Sequence, residues 1–561
     1  MQDLADDLAV LSGPANTVIA EALKLPGVQS IEEDIILKAH KVQKAASVTK
    51  CNQKCMYKDG NLGSSQKEIL PYGIQMVVGR AGIGPGPSSL LGSDVVVCIL
   101  DTGIYTNHSD LKRNSFSGCT KATTEGSMCR FYPFNAPKEP HGTHISGTIA
   151  ATRGNGRGVL GILPSGVDII GSNVLPGRGS GPLSLTLEAL SLCEAEVDAR
   201  QAKGKSARAV VNMSFGTSEK SPALESAINR MYRRGDILFV ASAGNEQVSS
   251  PGQVIYPAGF ASAISVGAVN CNKQVAAFSQ RNHHVSLVAP GVDILSTTLP
   301  EKIDSVKLQA RTASGFKSIL PVEAVDHSGF GTITAAEIVN CGLGTSPCRK
   351  SKGKACLISR GRIPFGCKAR NAQLGGCIAV LLFNTENPPC TPLTGATLET
   401  AECRPANGKS FPPTVALSHK DGKMLKTWIA KKPGSKVTLS VKKSSQTTMF
   451  KRNSGTSMAA PHVTGIAARI WAAFPECQSF DVRKALESGA KDIGRSGKDI
   501  NSGYGLVDLN GAYQELQKMA CAQPEVADVP IPPEEGQDIS GQRPPPPPPE
   551  DNGLYNPIPP T

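Results

Sequence analysis

Four polar residues in this 561-residue chain have the types that amide hydrolysis calls for: Asp101, His141, Asn245 and Ser457. Breaking an amide at neutral pH needs a nucleophile, a base to take its proton, a carboxylate to orient that base, and donors for the oxyanion that develops on the carbonyl. A serine, a histidine, an aspartate and an asparagine supply those parts in that order. Their value depends on where the chain puts them.

Asp101 closes the apolar run VVVCILD, which reads as a buried strand and puts the carboxylate at the carboxyl edge of a sheet, where open α/β folds build their sites. His141 opens HGTHISGTIA, a helix whose small residues allow close packing on a sheet. Ser457 falls in the first turn of the helix in SGTSMAAPHV, where unpaired amide groups and the positive end of the helix favour negative charge. Pro461 lies four residues further on and has no N–H to offer the Ser457 carbonyl, so the helix start is expected to be irregular there. Asn245 ends VASAGN, directly after another buried run, and its side-chain amide can join the Ser457 backbone N–H as an oxyanion donor.

With DTGI, HGTHISGTIA, NMSFG, SAGN, APG (Ala289 to Gly291) and GTSMAAPH in one chain, in the order Asp, His, Ser, the sequence resembles the subtilisin family over about residues 70–300 and 444–515. The resemblance implies a serine endopeptidase that acts on protein or peptide substrates through an acyl-enzyme on Ser457. It implies an α/β fold, a parallel sheet with helices on both faces, and no required organic cofactor. Ser214, Phe215 and Gly216 should line the substrate subsites, Ser242, Ala243 and Gly244 should form the facing wall, and GRGSG (Gly177 to Gly181) should bound the channel opposite. Those walls, with Ile255 near the pocket base, favour apolar or aromatic residues before the cleaved bond. A structural calcium in such proteins would use Asp110 and Asn155 here, although the loop ATRGNGRGV carries two arginines that oppose a cation. A tripeptidyl exopeptidase would need one end of the channel blocked, and no sequence feature demands that. A binding protein on a dead protease scaffold would lack a triad member, and none is missing.

His141 and Ser457 are far apart in sequence because a cysteine- and lysine-rich stretch intervenes. GKACLISRGRIPFGCKARNAQLGGCIAVLLFN resembles the protease-associated domain, so residues 313–441 are expected to be a β-rich insert that filters or docks substrates, between catalytic segments 70–312 and 442–515. Residues 1–50 resemble the carboxyl part of an inhibitory propeptide, ending in LKLPGVQSIEED, and LPYGIQMV resembles the start of a mature enzyme. The helical pattern NTVIAEALKLPG precedes a strand-like run that could lie in the channel as a product does. Residues 522–561 read as a disordered, proline-rich tail, with Pro544 to Pro549 unbroken.

The length exceeds what one core supports, so at least two folded units are expected. With 57 glycines, 41 prolines and 5% aromatics, the composition suits a loop-rich α/β enzyme better than a helical bundle. Sixteen cysteines, several in polar surroundings, point to disulfides and an oxidising, extracellular or secretory location. The amino terminus MQDLADDLAV lacks the pattern of a signal peptide, so either one lies upstream of this sequence or export is unusual. Cys119 and Cys129 flank a polar loop and are expected to pair. Cys51 and Cys55 have no second pair or histidine to make a zinc site. No apolar run approaches membrane-spanning length. The net charge of +12 gathers in the insert, where a basic face could hold an anionic polysaccharide; base-stacking aromatics are not interleaved with it, so nucleic acid is not expected as a partner.

Overall fold

The computed structural model describes residues 31–40, most of 59–519, the short strands 2–5, 8–10 and 43–44, and Cys521; within 59–519, residues 62–66, 80–83, 119–131, 303–304, 321, 326, 385–397, 399–402, 409 and 444–446 fall outside the description. The helix expected in NTVIAEALKLPG, the Cys51 and Cys55 pair, the Cys119–Cys129 disulfide and the proline-rich tail therefore lie outside the described residues.

Apolar runs of six or seven residues, rich in Val, Ile and Leu, become buried strands, the partly exposed SFSG adds one at the edge, and the helical patterns between them force parallel crossovers. The result is a seven-stranded, all-parallel sheet in the order Val285–Pro290, Ala263–Val269, Ile237–Ser242, Arg208–Met213, Val95–Asp101, Asp168–Asn173, Ser115–Gly118. Side chains alternate across such a sheet, so neighbours Cys98 and Ile99 point to opposite faces. Cys98 is disulfide-bonded to Cys193 of the helix Leu183–Gln201. Asn212, in register with Ile99, accepts a hydrogen bond from Thr464 of the helix Thr456–Ala473. Helices thus cover both faces, as the alternation of apolar runs implied.

The insert hangs from an antiparallel hairpin, Ile294–Lys302 with Thr447–Ser454, whose second strand runs directly into the Ser457 helix. His144 pins that hairpin: its buried Nε2 lies 3.1 Å from the Ile294 carbonyl and 3.0 Å from that of Lys451. Burial pushes its pKa down to about 3, so the ring is neutral and donates from Nε2.

Beyond the hairpin the chain builds a mixed eight-stranded sheet with its own core around Leu357, Leu381, Val415 and Leu439. Four of its strands are parallel neighbours, Gly331–Asn340, Ala355–Ser359, Ala379–Phe383 and Thr414–Leu417, and helices Phe365–Leu374 and His419–Lys431 accompany them. The insert is β-rich, as expected, but carries helices that the reading of short β-like runs did not include. Its sheet also takes in Ser305–Arg311, ahead of residue 313, because SVKLQAR alternates exposed and inward residues and pairs with Lys436–Lys442. Disulfides Cys341–Cys348, Cys356–Cys377 and Cys367–Cys403 staple this unit, and Cys477–Cys521 closes the last helices.

Candidate active site

Asp101 is the last residue of its strand and is fully buried. Its Oδ1 accepts the Thr102 N–H at 2.7 Å, which fixes the carboxylate, and His141 Nδ1 lies 2.8 Å from Oδ1 and 3.0 Å from Oδ2. With Nδ1–H donated to the carboxylate, Nε2 is left as the basic nitrogen; it is buried and has no partner among the described residues. The helix beginning at His141 comes close enough to the Asp101 turn only because residue 142 is glycine. A Cβ there would stand 2.3 Å from the Gly103 carbonyl oxygen and 3.1 Å from Asp101 Oδ1.

The helix His141–Ala150 packs on the helix Thr456–Ala473, which carries Ser457 in its first turn. The Ser457 carbonyl has no helical donor because Pro461 stands four residues on; it accepts the Ser214 hydroxyl instead, at 3.1 Å. Asn212 Nδ2 donates to that same Ser214 oxygen at 3.0 Å. Ser457 Oγ is turned onto the Ser214 carbonyl at 2.9 Å. In this state the serine hydroxyl is held next to its strand and is not bonded to His141, and a rotation about its own χ1 is what would redirect it.

Asn245 follows the strand Ile237–Ser242 and is held by its oxygen. Oδ1 accepts the Thr456 N–H at 2.9 Å and the Thr456 hydroxyl at 3.0 Å, which turns Nδ2 the other way. That nitrogen lies 3.0 Å from where a Gly455 Cβ would be, beside the turn that carries Ser457. The Asn245 backbone N–H is bonded in turn to Glu246 Oε2 at 2.7 Å.

The two expected walls face one another. Gly216 and Gly244 both abut Ile255, for a Cβ on either would come within 2.7 Å of that side chain. Side chains at these glycines would close the space between Ser214–Phe215–Gly216 and Ser242–Ala243–Gly244. The chain's own strand Ile36–Ala39 occupies the groove as the middle strand of three, antiparallel to Ser180–Pro182 on one side and Phe215–Gly216 on the other. Asp34 accepts the Ser184 N–H and hydroxyl at 2.9 and 2.7 Å, and Glu32 accepts the Ser221 hydroxyl at 2.5 Å, so two acidic residues cap helices Leu183–Gln201 and Pro222–Arg233. GRGSG does border the groove: the Ala39 N–H donates to the Gly179 carbonyl at 2.7 Å.

Asp110 and Asn155, the expected cation ligands, are brought together with Asn155 Nδ2 2.5 Å from Asp110 Oδ1. The structure adds Glu68, fully buried, whose Oε1 accepts the Asn155 N–H at 2.8 Å and whose Oε2 has no partner among the described residues. Burial, with the Glu68 charge adding to it, raises Asp110 from 3.8 to about 6. Two buried carboxylates and an orphaned oxygen fit a hard cation, whose charge would relieve both. A single Glu in the strand KEIL gave no sequence signal of this role. Glu246, beside Asn245, was equally unmarked.

Comparison with known proteins identifies the family of the fold. The Subtilase family model matches residues 92–317 and 406–505, more than half of the chain, and the PA domain model matches 327–425. The chain is 38% identical to Subtilisin Savinase of Lederbergia lenta over 230 residues, 41% of this chain and 75% of that protein. It is 32% identical to Subtilisin DY of Bacillus licheniformis over 274 residues, 49% and 90% respectively. Against the Alkaline protease of Shouchella clausii it is 37% identical, with 42% of this chain spanning 54%, about half, of that relative's length. Among solved structures, the psychrophilic subtilisin-like protease Apa1 from Pseudoalteromonas sp. AS-11 superposes with a TM-score of 0.51 at 26% identity, over 81% of this chain and 99% of that one. The chain belongs to the subtilase family of subtilisin-like serine peptidases, with a PA domain inserted in its catalytic fold.

Proposed function

We propose that the protein is a serine endopeptidase in which Asp101, His141 and Ser457 are the catalytic triad and Asn245 Nδ2, with the Ser457 N–H, binds the oxyanion. The observation that carries this reading is the paired contact of His141 Nδ1 with both Asp101 oxygens, which leaves a buried, basic Nε2 beside the helix that bears Ser457. Ser457 Oγ attacks the substrate carbonyl as its proton passes to His141 Nε2; His141 then gives that proton to the leaving amine, and water releases the acyl group by the same route. Asp101 holds the imidazole in the required tautomer and stabilises its positive charge.

Endopeptidase rather than exopeptidase action is supported by the path of the chain's own segment. Strand Ile36–Ala39 lies on one side of the nucleophile, and Gln43–Lys44 pairs with Ser454 and Asn453 on the other, so the groove accepts a chain that continues in both directions. Ser214, Phe215 and Gly216 offer backbone pairing that is blind to sequence, while Ser242, Ala243, Gly244 and Ile255 favour apolar or aromatic side chains before the cleaved bond.

The segment 1–50 acts as the protein's own inhibitory propeptide, held by the groove strand and the Glu32 and Asp34 caps. A calcium ion held by Asp110, Asn155 and Glu68 would supply positive charge that steadies the loop 155–159. Five described disulfides support a secreted location. Among the described residues no helix is long and apolar enough to cross a membrane. The insert filters or docks substrates at the hairpin leading to Ser457, and its lysines offer anionic polysaccharide a surface. Digestion of a random peptide library, with and without a serine-directed covalent inhibitor, tests activity and preference together. Inhibitor-sensitive cleavage at internal bonds is expected; strict dibasic cleavage or release of tripeptides alone contradicts the reading.

A further inference from the structure

We infer that the bond on the carboxyl side of His40 is the one this protein cuts in its own chain, with the His40 imidazole as the side chain its primary pocket accepts. The inference rests on the peptidase reading above.

The register fixes the position. Leu37 pairs with Gly181, Lys38 with both Ser180 and Gly216, and Ala39 with Phe215. Side chains alternate accordingly: Leu37 is fully buried and Lys38 is exposed. The next residue of an antiparallel pair, His40, comes opposite Ser214, whose carbonyl accepts the Ser457 hydroxyl. His40 is 5% exposed, and its Nε2 lies 3.3 Å from the Ser242 carbonyl oxygen. Its Cε1 lies 3.4 Å from where a Cβ on Gly216 would stand. The ring therefore fills the space between the two pocket walls, the space that glycines at 216 and 244 keep open.

The strand resumes at Gln43 and Lys44 on Ser454 and Asn453, three and four residues before Ser457. Of the described residues between those two paired stretches, His40 is the one seated in the pocket, so the bond on its carboxyl side is the one with its acyl-side residue in place. Burial holds the imidazole below its ordinary pKa against the opposing pull of the Glu246 carboxylate, so the ring sits there neutral and flat, like the aromatic residues the walls favour.

In the cut, Ser457 Oγ bonds to the His40 carbonyl carbon and its proton goes to His141 Nε2. The C–N bond breaks, the Lys41 nitrogen takes that proton and becomes a new amino terminus, and His40 is left as an ester on Ser457. Water then adds to the ester carbonyl and gives one proton to His141, which returns it to Ser457 Oγ as the His40 carboxylic acid leaves and ionises into solvent.

The test uses the full chain, produced as wild type, Ser457→Ala, His40→Phe and His40→Asp, with amino termini read by intact mass and sequential degradation. Wild type and His40→Phe should begin at Lys41, and Ser457→Ala should keep residue 1. His40→Asp, which places a second carboxylate by Glu246, should be processed at that bond at least 100-fold more slowly. An internally quenched peptide of residues 33–48, which does not depend on the variants' folding, should be cut by the mature enzyme after His40. Wild type that hydrolyses unrelated peptides but begins elsewhere in 42–69, or leaves the 33–48 peptide uncut after His40, overturns the inference while the peptidase reading stands. Wild type that neither hydrolyses any peptide nor reacts with a serine-directed probe overturns both.

Discussion

The carbonyl of Ser457 accepts the hydroxyl of Ser214 at 3.1 Å, a bond that exists because Pro461 withdraws the helical donor. The same Ser214 oxygen accepts from Asn212, and Asn212 accepts from Thr464, so a buried polar chain runs from the sheet to the nucleophile's turn. Ser214→Ala would leave the Ser457 carbonyl and the Asn212 amide unpaired in the interior, at a cost of about 1–3 kcal/mol. The variant should unfold at lower denaturant and lose kcat about tenfold with KM little changed, because what suffers is the placing of Ser457 and not the groove. An unchanged kcat with a raised KM would show that Ser214 acts on substrate only.

On the proposed oxyanion role, Asn245→Ala removes a donor aimed at charge that exists mainly in the transition state. Steady-state kinetics should show kcat lower by about 10²–10³-fold with KM nearly unchanged. An effect confined to KM would argue against the oxyanion role. Since Asn245 Oδ1 also binds Thr456, Asn245→Asp keeps that anchor while removing the donor, and it should be as slow as the alanine variant.

Asp110 links stability to pH and to calcium. Its carboxyl is raised to about 6 in the folded protein, so this group's stabilising contribution is complete below about 3.8 and is lost as pH rises through about 6. In the presence of a chelator, Tm should therefore fall through this group between pH 4 and 7, on the order of 5 °C, and Asp110→Asn should flatten that part of the profile. Calcium at 100 times its Kd should return about 2.7 kcal/mol at pH 7 in wild type and much less in the variant. A wild-type Tm indifferent to both chelator and calcium would remove the cation from the account.

Glu32 and Asp34 cap two helices of the catalytic fold from the segment proposed to be inhibitory. A synthetic peptide of residues 1–40 should inhibit the mature enzyme competitively. Glu32→Gln with Asp34→Asn in that peptide should weaken inhibition by about 10–100-fold, the equivalent of two charged caps. Equal inhibition by both peptides would mean that the groove strand alone holds the segment.

Much of the site was legible because each of its residues sits at a chain feature with a physical signature. Asp101 ends an apolar run, His141 and Ser457 begin helices, and Asn245 follows a buried strand. What escaped reading has signatures shared with ordinary residues. Cys98 and Cys193 sit in apolar runs where a cysteine passes for a small hydrophobe, and only the packing of helix on sheet reveals their bond. Glu68 carries no local mark, since its burial and its bond to the Asn155 N–H arise from tertiary contact, and Glu246 beside Asn245 belongs to no spacing that singles it out. Strand Ser305–Arg311 pairs with the insert's sheet although it precedes residue 313, because its regular alternation suits either the hairpin or that sheet. The helix Phe365–Leu374 was missed because GCKARNAQLGG is bracketed by cysteines and glycines that suggest loops.

The central claim is that Ser457 is the nucleophile, and a fluorophosphonate probe tests it most directly. Incubated with the mature protein and mapped by peptide mass spectrometry, the probe should modify Ser457 alone, in step with loss of peptide hydrolysis. Ser457→Ala should keep the wild-type circular dichroism spectrum while it neither labels nor hydrolyses. Labelling at another serine, or near-normal hydrolysis by Ser457→Ala, would contradict the account.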